Sequence, residues 1–256
     1  MKVAILAGGL GTRLSEETTL KPKPMVEVGG KPILWHIMNI YAAYGYKEFV
    51  IALGYKGEII KDYFLNYHYY SRSLTVQLKT GDVKMHNDKG EDWIVHLLDT
   101  GTDTNTGGRV KRVAEFIGNE PFMLTYGDGV SNVNIPHLIE FHKNLNKLVT
   151  LTAVRPPARF GQMVIEDHRV VQFQEKPQIG EGWINGGYMV FEPGVFKYLL
   201  GDSTVLEAHV LEALAREGEL MAYRHENFWQ CMDTLRDKRY LEGLWDRGEA
   251  PWKVWE

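Results

Sequence analysis

Two short apolar segments, each ending in glycine, constrain the fold of this chain more than any other feature. Residues 3–7 read VAILA and residues 49–53 read FVIAL, and a glycine follows each. Continuous apolar runs of this length are typical of strands that are buried on both faces of a parallel sheet. Between them, residues 32–41 begin with proline and place apolar side chains at helical spacing. The first 53 residues therefore predict a β-α-β unit.

The same alternation continues along the chain. It predicts helices over residues 58–67, 109–117 and 135–145 and strands over 74–78, 122–126 and 148–154, then short strands over 170–173 and 188–191 and a helix over 204–217. This order favours an α/β fold with a doubly wound, mixed but mostly parallel sheet, small β additions and a C-terminal helical segment. Ligands of such sheets bind beyond the carboxyl ends of the strands. The absence of a proline- or serine-rich linker predicts a single domain over residues 1–256.

The composition excludes several classes of protein. The chain is 44% hydrophobic and 24% charged, which does not fit a disordered, collagen-like or coiled-coil protein. Its 29 Lys and Arg against 33 Asp and Glu leave a net charge of -4, so we expect no nucleic-acid and no anionic-membrane partner. No apolar run approaches the roughly 18 residues that span a bilayer. With Cys231 as the one cysteine, we expect a soluble, cytoplasmic protein.

A glycine-rich segment directly after the first strand is the strongest local motif. Residues 6–14 read LAGGLGTRL, and the three glycines allow backbone N–H groups to approach a ligand closely. Arg13 adds a guanidinium group suited to phosphate oxygens. The segment predicts a polyphosphate site, and plain turn chemistry is the alternative. Its spacing matches neither the P-loop nor the dinucleotide-binding fingerprint, which weakens both of those interpretations.

Two further segments carry charged groups in restrained surroundings. Residues 21–25 read KPKPM, in which two prolines restrict the backbone around Lys21 and Lys23. Asp128 lies between two glycines at the end of a predicted buried strand, where its carboxylate can reach a divalent cation. An exposed loop with ordinary lysines and a tight Asp-Gly turn are the corresponding alternatives.

The motifs together resemble those of the sugar-phosphate nucleotidyltransferases. The segments that carry the resemblance are 6–14, 21–25, 127–129, 175–177 (EKP) and 185–187 (NGG), supported by 106–109 (TGGR), 159–161 (RFG), 228–237 (FWQCMDTLRD) and 241–256. The first segment is shared across the family. The last two are similar to the branch that uses CTP and glucose 1-phosphate. The resemblance covers essentially the whole chain.

The resemblance implies a Rossmann-like nucleotidyltransferase fold and a definite reaction. A cytidylyl group would pass from CTP to glucose 1-phosphate with Mg²⁺ as cofactor, releasing pyrophosphate and forming CDP-glucose. Residues 1 to about 155 would bind the nucleotide, about 156–240 the sugar phosphate, and 241–256 would form a docking tail. The tail contains three tryptophans, which predicts docking either on the chain's own core or on a neighbouring subunit. The family also implies a homo-oligomer, with a hexamer as one form.

The resemblance also implies a role for individual residues. The implied catalytic residues are Arg13, Lys23, Asp128 and Asp233, of which Asp128 and Asp233 would bind the metal. The implied nucleotide-binding residues are Leu6, Ala7, Gly8, Gly9, Gly11, Thr12, Arg13, Lys23, Thr106, Gly107, Gly108 and Asp128. The implied sugar-phosphate-binding residues are Tyr126, Gly127, Glu175, Lys176, Asn185 and Gly186.

Two departures from the family pattern concern the half expected to bind the sugar. Residues 207–210 read EAHV where the family usually has Glu-x-Glu-Pro, and Ala158 and Gln162 depart from a Pro-Pro-Gly-Arg-Phe-Gly segment. These differences leave a second hypothesis open, in which another acceptor phosphate or another nucleotide is used. A third hypothesis is a catalytically silent nucleotide-sensing or assembly subunit. His209 is either a ligand contact or a histidine accommodated on a helix.

Overall fold

The computed structural model describes residues 1–86, 90–156, 162–166, 169–174 and 182–256. Its strands are β1 (Val3–Leu6), β2 (Glu27–Val28), β3 (Lys31–Pro32), β4 (Glu48–Leu53), β5 (Ser73–Gln77), β6 (Asp82–His86), β7 (Ile94–Asp99), β8 (Phe122–Tyr126), β9 (Gly129–Ser131), β10 (Val149–Val154), β11 (Gln162–Glu166), β12 (Arg169–Gln174), β13 (Ile184–Phe191), β14 (Leu220–His225) and β15 (Trp229–Cys231). Its α-helices are α1 (Ser15–Thr18), α2 (Ile33–Ala42), α3 (Gly57–Leu65), α4 (Tyr67–Tyr70), α5 (Thr106–Ile117), α6 (Ile135–Leu145), α7 (Glu212–Arg216) and α8 (Leu235–Asp246). Short 3-10 turns cover Thr12–Leu14, Lys23–Met25 and Pro193–Tyr198, and a π-helical turn covers Leu206–Leu211.

The central sheet has seven strands in the described part of the chain, in the order β14-β10-β13-β8-β1-β4-β7. Neighbouring strands run parallel, except that β13 is antiparallel to both β8 and β10. The other strands form two-stranded ribbons: β2 with β3, β5 with β6, β9 with β15 and β11 with β12. The predicted α/β fold, with a mixed, mostly parallel sheet and small β additions, is confirmed.

Both faces of the sheet are covered, which explains the continuous apolar runs of its central strands. Along β1, Val3 and Ile5 belong to one hydrophobic core, and Ala4 and Leu6 belong to the other. Helices α2 and α6 pack in the first core with the C-terminal segment, and α5 and α7 pack in the second. Because side chains alternate between the faces of a strand, a run without polar residues fills both cores at once.

The strand order reverses next to β1. From β1 the chain passes through α2 to β4 on one side, and after β7 it passes through α5 to β8 on the other side. A reversal of this kind leaves a crevice beyond the carboxyl ends of the strands, where α/β sheets bind their ligands. Leu6 and Tyr126, the last residues of β1 and β8, pair with each other. The loops that follow these two strands therefore border the same crevice.

The structure differs from the predicted elements at both edges of the sheet. The strand predicted over residues 74–78 lies in the β5–β6 ribbon, and β7 forms the edge of the sheet beside β4. At the other edge β14 pairs with β10. Both edge strands interrupt their apolar residues with polar ones, such as His96 and Arg224, so they lack the run that signals a buried strand. The helix predicted over 204–217 begins as the π-helical turn and continues as α7.

The C-terminal segment packs on its own chain. Trp252 is buried, and its Nε1–H donates to His36 Nδ1 at 3.3 Å. His36 lies in α2 and bonds Val28 O through Nε2 at 2.8 Å, and burial lowers the pKa of His36 to about 4. The neutral imidazole thus links α2 to the C-terminal segment. Of the two docking places that the sequence left open, the chain's own core is the one that this segment covers. Among the described residues, no helix is both long and apolar enough to span a membrane.

Candidate functional site

A cleft of about 590 Å³ opens at the carboxyl ends of β1 and β8. Its lining residues come from the loops that follow β1, β7 and β8 and from the 3-10 turn that begins at Lys23. They are residues 6–13, Lys23, Pro24, residues 102–106, Arg109, Tyr126, Gly127 and Asp128. The cleft lies at the position where the strand order reverses, as expected for a ligand site in a doubly wound sheet.

The β9–β15 ribbon joins two aspartates that are far apart in the sequence. Asp128 precedes β9, and Asp233 follows β15 by two residues. In the ribbon, Gly129 pairs with Cys231, and the Met232 N–H donates to Asp128 O at 2.8 Å. The two carboxylates are consequently held on neighbouring backbone segments at the rim of the cleft.

Lys23 is bonded to both carboxylates. Its Nζ lies 2.6 Å from Asp128 Oδ2 and 2.5 Å from Asp233 Oδ1, and Arg13 approaches the other oxygen of Asp233 at 2.7 Å. Burial alone would lower the pKa of Lys23, but the two carboxylates outweigh burial and raise it. Burial would raise the pKa of Asp233, but Lys23 and Arg13 hold it below its usual value. Lys23 and Asp233 therefore form a charged pair at neutral pH.

The backbone around Lys23 explains how its side chain is directed. Pro22 has φ −67° and precedes a 3-10 turn that begins at Lys23, and Pro24 occupies the next position and is buried. The Lys23 side chain is 11% exposed, whereas that of Arg13 is 73% exposed. The alternative of two ordinary solvated lysines does not apply to Lys23. Lys21 does form an outlying ion pair, with Glu27.

The three glycines of the loop after β1 differ in what would prevent a larger side chain at each position. Gly11 has φ +66°, and a Cβ there would lie 2.9 Å from Thr18 Cγ2. A Cβ on Gly8 would lie 2.2 Å from the Arg109 guanidinium, whereas a Cβ on Gly9 would meet no atom within 4 Å. Gly8 and Gly11 are thus required by packing and backbone conformation. Gly9 leaves the cleft wall open to a ligand.

Arg109 organises the loops around the cleft, a role that the sequence analysis missed. Its guanidinium is buried and donates five hydrogen bonds to neutral oxygens. The acceptors are Gly8 O at 3.1 Å, Leu53 O at 3.0 Å, Thr100 Oγ1 at 2.7 Å, Gly101 O at 2.7 Å and Thr102 O at 3.1 Å. One side chain thereby holds together the end of β4 and the loops that follow β1 and β7. Burial lowers its pKa, but arginine remains charged at any physiological pH.

Comparison with known proteins identifies the family. A family model described as nucleotidyl transferase matches residues 2–241. The chain belongs to the nucleotidyl transferase family. It is 54% identical to the glucose-1-phosphate cytidylyltransferases of Salmonella typhi and Salmonella typhimurium, over 257 aligned positions that cover all of both chains. The crystal structure of HddC from Yersinia pseudotuberculosis shares the fold, with a TM-score of 0.71 and 24% identity over 95% of this chain and 99% of that chain. The resemblance inferred from the motifs is confirmed.

Nucleotidyl transferases generally use a divalent metal ion, and the aspartate pair fits one. Both carboxylates already direct an oxygen at a single cation, the Lys23 ammonium. A magnesium-like ion is usually held by one or two carboxylates together with substrate phosphate oxygens. Two protein ligands suffice for such a site. In residues 1–86, 90–156 and the other described ranges, no group of three or more His, Cys, Asp or Glu is arranged to hold a metal.

On the acceptor side the structure brings together four of the residues expected there, Tyr126, Gly127, Asn185 and Gly186. The hydroxyl of Tyr126 accepts from Asn185 Nδ2 at 3.3 Å, and Gly186 O accepts from Trp229 Nε1 at 2.8 Å. Gly127 packs against Pro24, whose Cγ would lie 2.9 Å from an added Cβ. Glu175, Lys176 and Ala158 lie outside the described residues, and Gln162 begins β11.

Two glycines assigned to the nucleotide side have a packing role in the structure, and their contact with a nucleotide stays a prediction. Gly107 and Gly108 do not line the cleft but are buried in the first turn of α5, where added Cβ atoms would lie 2.7 Å from Thr204 and 2.6 Å from Asp202. The Gly108 N–H is bonded to Thr204 O at 3.1 Å and is not free for a base. These glycines serve close packing, while Thr106 and residues 102–105 form the wall.

His209 also has a local explanation. Its Nδ1 accepts from the Val205 N–H at 3.0 Å, and its side chain is exposed. This bond satisfies a backbone donor at the start of the π-helical turn. Of the two interpretations left open, the structure favours a histidine accommodated on a helix. Glu207, which precedes it by two residues, bonds cleft residues instead.

Proposed function

We propose that this chain transfers the cytidylyl group of CTP to glucose 1-phosphate, with Mg²⁺, and so forms CDP-glucose and pyrophosphate. The observation that carries the reaction class is the convergence of Lys23 and Arg13 on the carboxylates of Asp128 and Asp233 beside the cleft. Full-length identity of 54% to two cytidylyltransferases supports the choice of substrates. A cytoplasmic location fits an enzyme that consumes CTP.

For this reaction the protein must supply positive charge and must align the two substrates. A phosphate oxygen of glucose 1-phosphate would attack the α-phosphorus of CTP while the bond to the bridging oxygen of the β-phosphate breaks. The nucleophile is already an anion, so no general base is needed. The difficulty is to bring two anions together and to stabilise the charge that develops on the leaving pyrophosphate. Cationic side chains directed at the phosphates answer both needs.

Each residue of the cluster has a proposed task. Asp128 and Asp233 would hold Mg²⁺, which when bound neutralises phosphate oxygens and keeps the attacking and leaving oxygens in line. Lys23 would neutralise the phosphates on either side of the bond that breaks, and the exposed guanidinium of Arg13 would bind the triphosphate. The loop after β1, with Leu6, Ala7, Gly8, Gly9, Gly11 and Thr12, would place its backbone against the same phosphates. Thr106 would contribute to the nucleotide wall.

The acceptor would bind on the side of Tyr126 and Asn185. Tyr126, Gly127, Asn185 and Gly186 stay in the proposal, together with Glu175 and Lys176 from outside the described residues. A division of one domain into a nucleotide half and a sugar half accompanies these assignments. We also propose a homo-oligomer such as a hexamer, to be tested by sedimentation equilibrium at several concentrations. Apolar side chains exposed on one face of the β5–β6 ribbon are compatible with self-association.

A substrate panel tests the function directly. The protein is incubated with Mg²⁺, each of the four nucleoside triphosphates and a set of sugar 1-phosphates, and pyrophosphate release is measured. We expect CTP with glucose 1-phosphate to exceed every other pair at least tenfold. A different preferred pair would support another acceptor or nucleotide with the same chemistry. Release with no pair would overturn the enzymatic assignment and favour a silent subunit.

A further inference from the structure

Glu207 connects two groups of residues that line the cleft. Its Oε1 accepts from the Tyr126 hydroxyl at 2.5 Å, and its Oε2 accepts from the Thr106 hydroxyl at 2.8 Å. Both partners line the cleft, whereas Glu207 stands behind them in the π-helical turn. The carboxylate therefore does not need to touch a substrate in order to influence the cleft.

The chain of hydrogen bonds continues beyond Tyr126 to the acceptor side. The Tyr126 oxygen accepts from Asn185 Nδ2 at 3.3 Å, and the Oδ1 of the same amide accepts from the Gly187 N–H at 2.9 Å. Gly187 has φ +80°, and an added Cβ would lie 2.6 Å from Tyr126 Cδ2. The aromatic ring therefore lies directly against the Gly187 backbone, which restricts its movement.

The direction of each bond in this chain is determined by chemistry. An ionised carboxylate only accepts, so Tyr126 must donate its one hydrogen to Glu207 and can only accept from Asn185. Burial and the nearby Glu207 charge raise the pKa of Tyr126, so the phenol keeps its hydrogen. The Asn185 amide is then oriented with its NH₂ group toward Tyr126 and its oxygen toward Gly187. Among the residues that the structure describes, no other partner is seen for the second N–H and the second lone pair of that amide, which can therefore bond a ligand.

We propose that Glu207 is a positioning residue for the acceptor sugar, which acts through Tyr126 to hold the Asn185 amide in the orientation that bonds sugar hydroxyls. This inference rests on the proposed function and extends it to a residue that would not contact the substrate. It also accounts for Glu207 itself, which matches the first glutamate of the family's Glu-x-Glu-Pro segment, whereas the residues after it depart from that pattern.

The test compares variants along this chain of bonds. In Glu207→Ala and Tyr126→Phe the Asn185 amide loses its support, and we expect KM for glucose 1-phosphate to rise about tenfold, which corresponds to about 1.4 kcal/mol. We expect kcat to stay within threefold of wild type in both variants, and KM for CTP to stay within twofold in Tyr126→Phe, which leaves the bond between Thr106 and Glu207 in place. The double variant should be no worse than either single one, because the two residues act in series.

A conservative variant separates positioning from charge. In Glu207→Gln the amide oxygen can accept from Tyr126 while its NH₂ group donates to the Thr106 oxygen. We therefore expect Glu207→Gln to keep KM for glucose 1-phosphate within threefold of wild type. If Glu207→Ala does not fold, as judged by circular dichroism, Glu207→Leu replaces it, because its side chain has a similar size but accepts no hydrogen bond from Tyr126. A tenfold rise in Glu207→Gln, or no rise in Tyr126→Phe, would overturn the inference.

The chain also offers a matched control. The Tyr198 hydroxyl donates to Glu217 in the same part of the sequence, where Glu217 is exposed, Tyr198 is half-buried, and both lie outside the cleft. Glu217→Ala removes a bond of the same kind, and KM for glucose 1-phosphate should stay at the wild-type value. Thr106→Val cuts the other bond to Glu207, and its effect should fall on KM for CTP. An equal rise in KM for glucose 1-phosphate in Thr106→Val and Tyr126→Phe would instead make Glu207 a structural link to α5.

Pyrophosphate release by the wild-type protein separates a failure of this inference from a failure of the proposed function. If it prefers another sugar phosphate, the same variants are compared with that acceptor. If it releases pyrophosphate but the variants leave KM for the acceptor unchanged, only the role of Glu207 fails. If it releases pyrophosphate with no pair, both proposals fail.

Discussion

Two cationic side chains line the same cleft and are held in opposite ways. Lys23 is bonded to two carboxylates, whereas Arg109 is bonded to four backbone carbonyl oxygens and one hydroxyl. The partners of Lys23 are charges that a metal ion or another cation can also neutralise. The partners of Arg109 are oxygens of the segments that surround the cleft, which lose five hydrogen bonds together when its donors are removed. Arg109 thus belongs to the architecture of the cleft, whereas Lys23 would take part in the chemistry under the proposed function.

The largest loss of activity should come from removing a charged side chain from the group formed by Lys23, Asp128 and Asp233. We expect Asp128→Ala or Lys23→Ala to lose at least a hundredfold in turnover, about 2.7 kcal/mol of transition-state stabilisation. The measurement is pyrophosphate release with saturating CTP, glucose 1-phosphate and Mg²⁺. Asp92→Ala, which breaks the exposed pair of Lys47 and Asp92, is the control and should be as active as wild type. Near-wild-type rates in Asp128→Ala or Lys23→Ala would remove that residue from its role.

Replacing Arg109 should lower the stability of the fold. Arg109→Met removes five hydrogen bonds that join the segments around the cleft. Gly8 O keeps the Tyr55 N–H and Leu53 O keeps the Thr100 N–H as donors, so we expect the free energy of unfolding to fall by about 2 kcal/mol and not by the full sum of five bonds. Urea denaturation followed by circular dichroism measures it. Arg112 lies one turn further along α5 and pairs with Asp202 at 2.6 Å in an exposed position. Arg112→Met should lower the free energy of unfolding clearly less. An equal loss in the two variants would show that Arg109 contributes no more to stability than an exposed arginine, and would contradict its architectural role.

A third experiment asks whether Lys23 competes with a metal ion. Its ammonium is bonded to the same two carboxylates that would hold the ion, so without nucleotide the ion must displace it. We expect Lys23→Met to bind Mn²⁺ about tenfold more tightly than wild type in isothermal titration calorimetry without nucleotide, a gain of about 1.4 kcal/mol. Lys21→Met, which alters only the outlying pair with Glu27, should leave the affinity unchanged. Equal or weaker binding in Lys23→Met would show that the two cations do not compete.

The smallest effect sharpens the architectural role of Arg109. In Gly8→Ala the new methyl group would lie 2.2 Å from a guanidinium that is held by five hydrogen bonds. We expect the free energy of unfolding to fall by about 1 kcal/mol, at the lower end of the cost of overpacking. Gly9→Ala, where the methyl group meets no neighbour within 4 Å, should unfold at the same urea concentration as wild type. Equal stability of Gly8→Ala and Gly9→Ala would mean that Arg109 moves aside without cost.

Several elements of the fold were readable from the sequence, and others were not. Strands β1, β4 and β8 were predicted because a strand covered on both faces must be apolar at every position. Strands β7 and β14 were missed because edge strands mix polar and apolar residues and resemble loops in the sequence. The β9–β15 ribbon was also missed, although it is the element that joins Asp128 to Asp233. Short strands leave too few residues for a period to be detected.

The candidate site divides in the same way. Arg13, Lys23 and Asp128 were found because each stands in a short motif whose glycines or prolines have a local physical reason. Asp233 was assigned by resemblance alone, since no neighbouring residue marks it as a partner of Asp128. Arg109 and Glu207 were missed because their partners lie in other segments of the chain, up to 101 positions away.

Local patterns of apolar residues, glycine and proline were thus sufficient for the α/β class, the loop after β1 and the charged groups near it. These signals act between residues that are close in sequence, where backbone conformation and side-chain period are set. Folding alone determined that Lys23 bridges two aspartates, that Gly107 and Gly108 serve packing, and that Arg109 and Glu207 organise the cleft. Hydrogen bonds and ion pairs between distant segments depend on sheet order and strand register. A short stretch of residues determines neither the order of the strands nor their register.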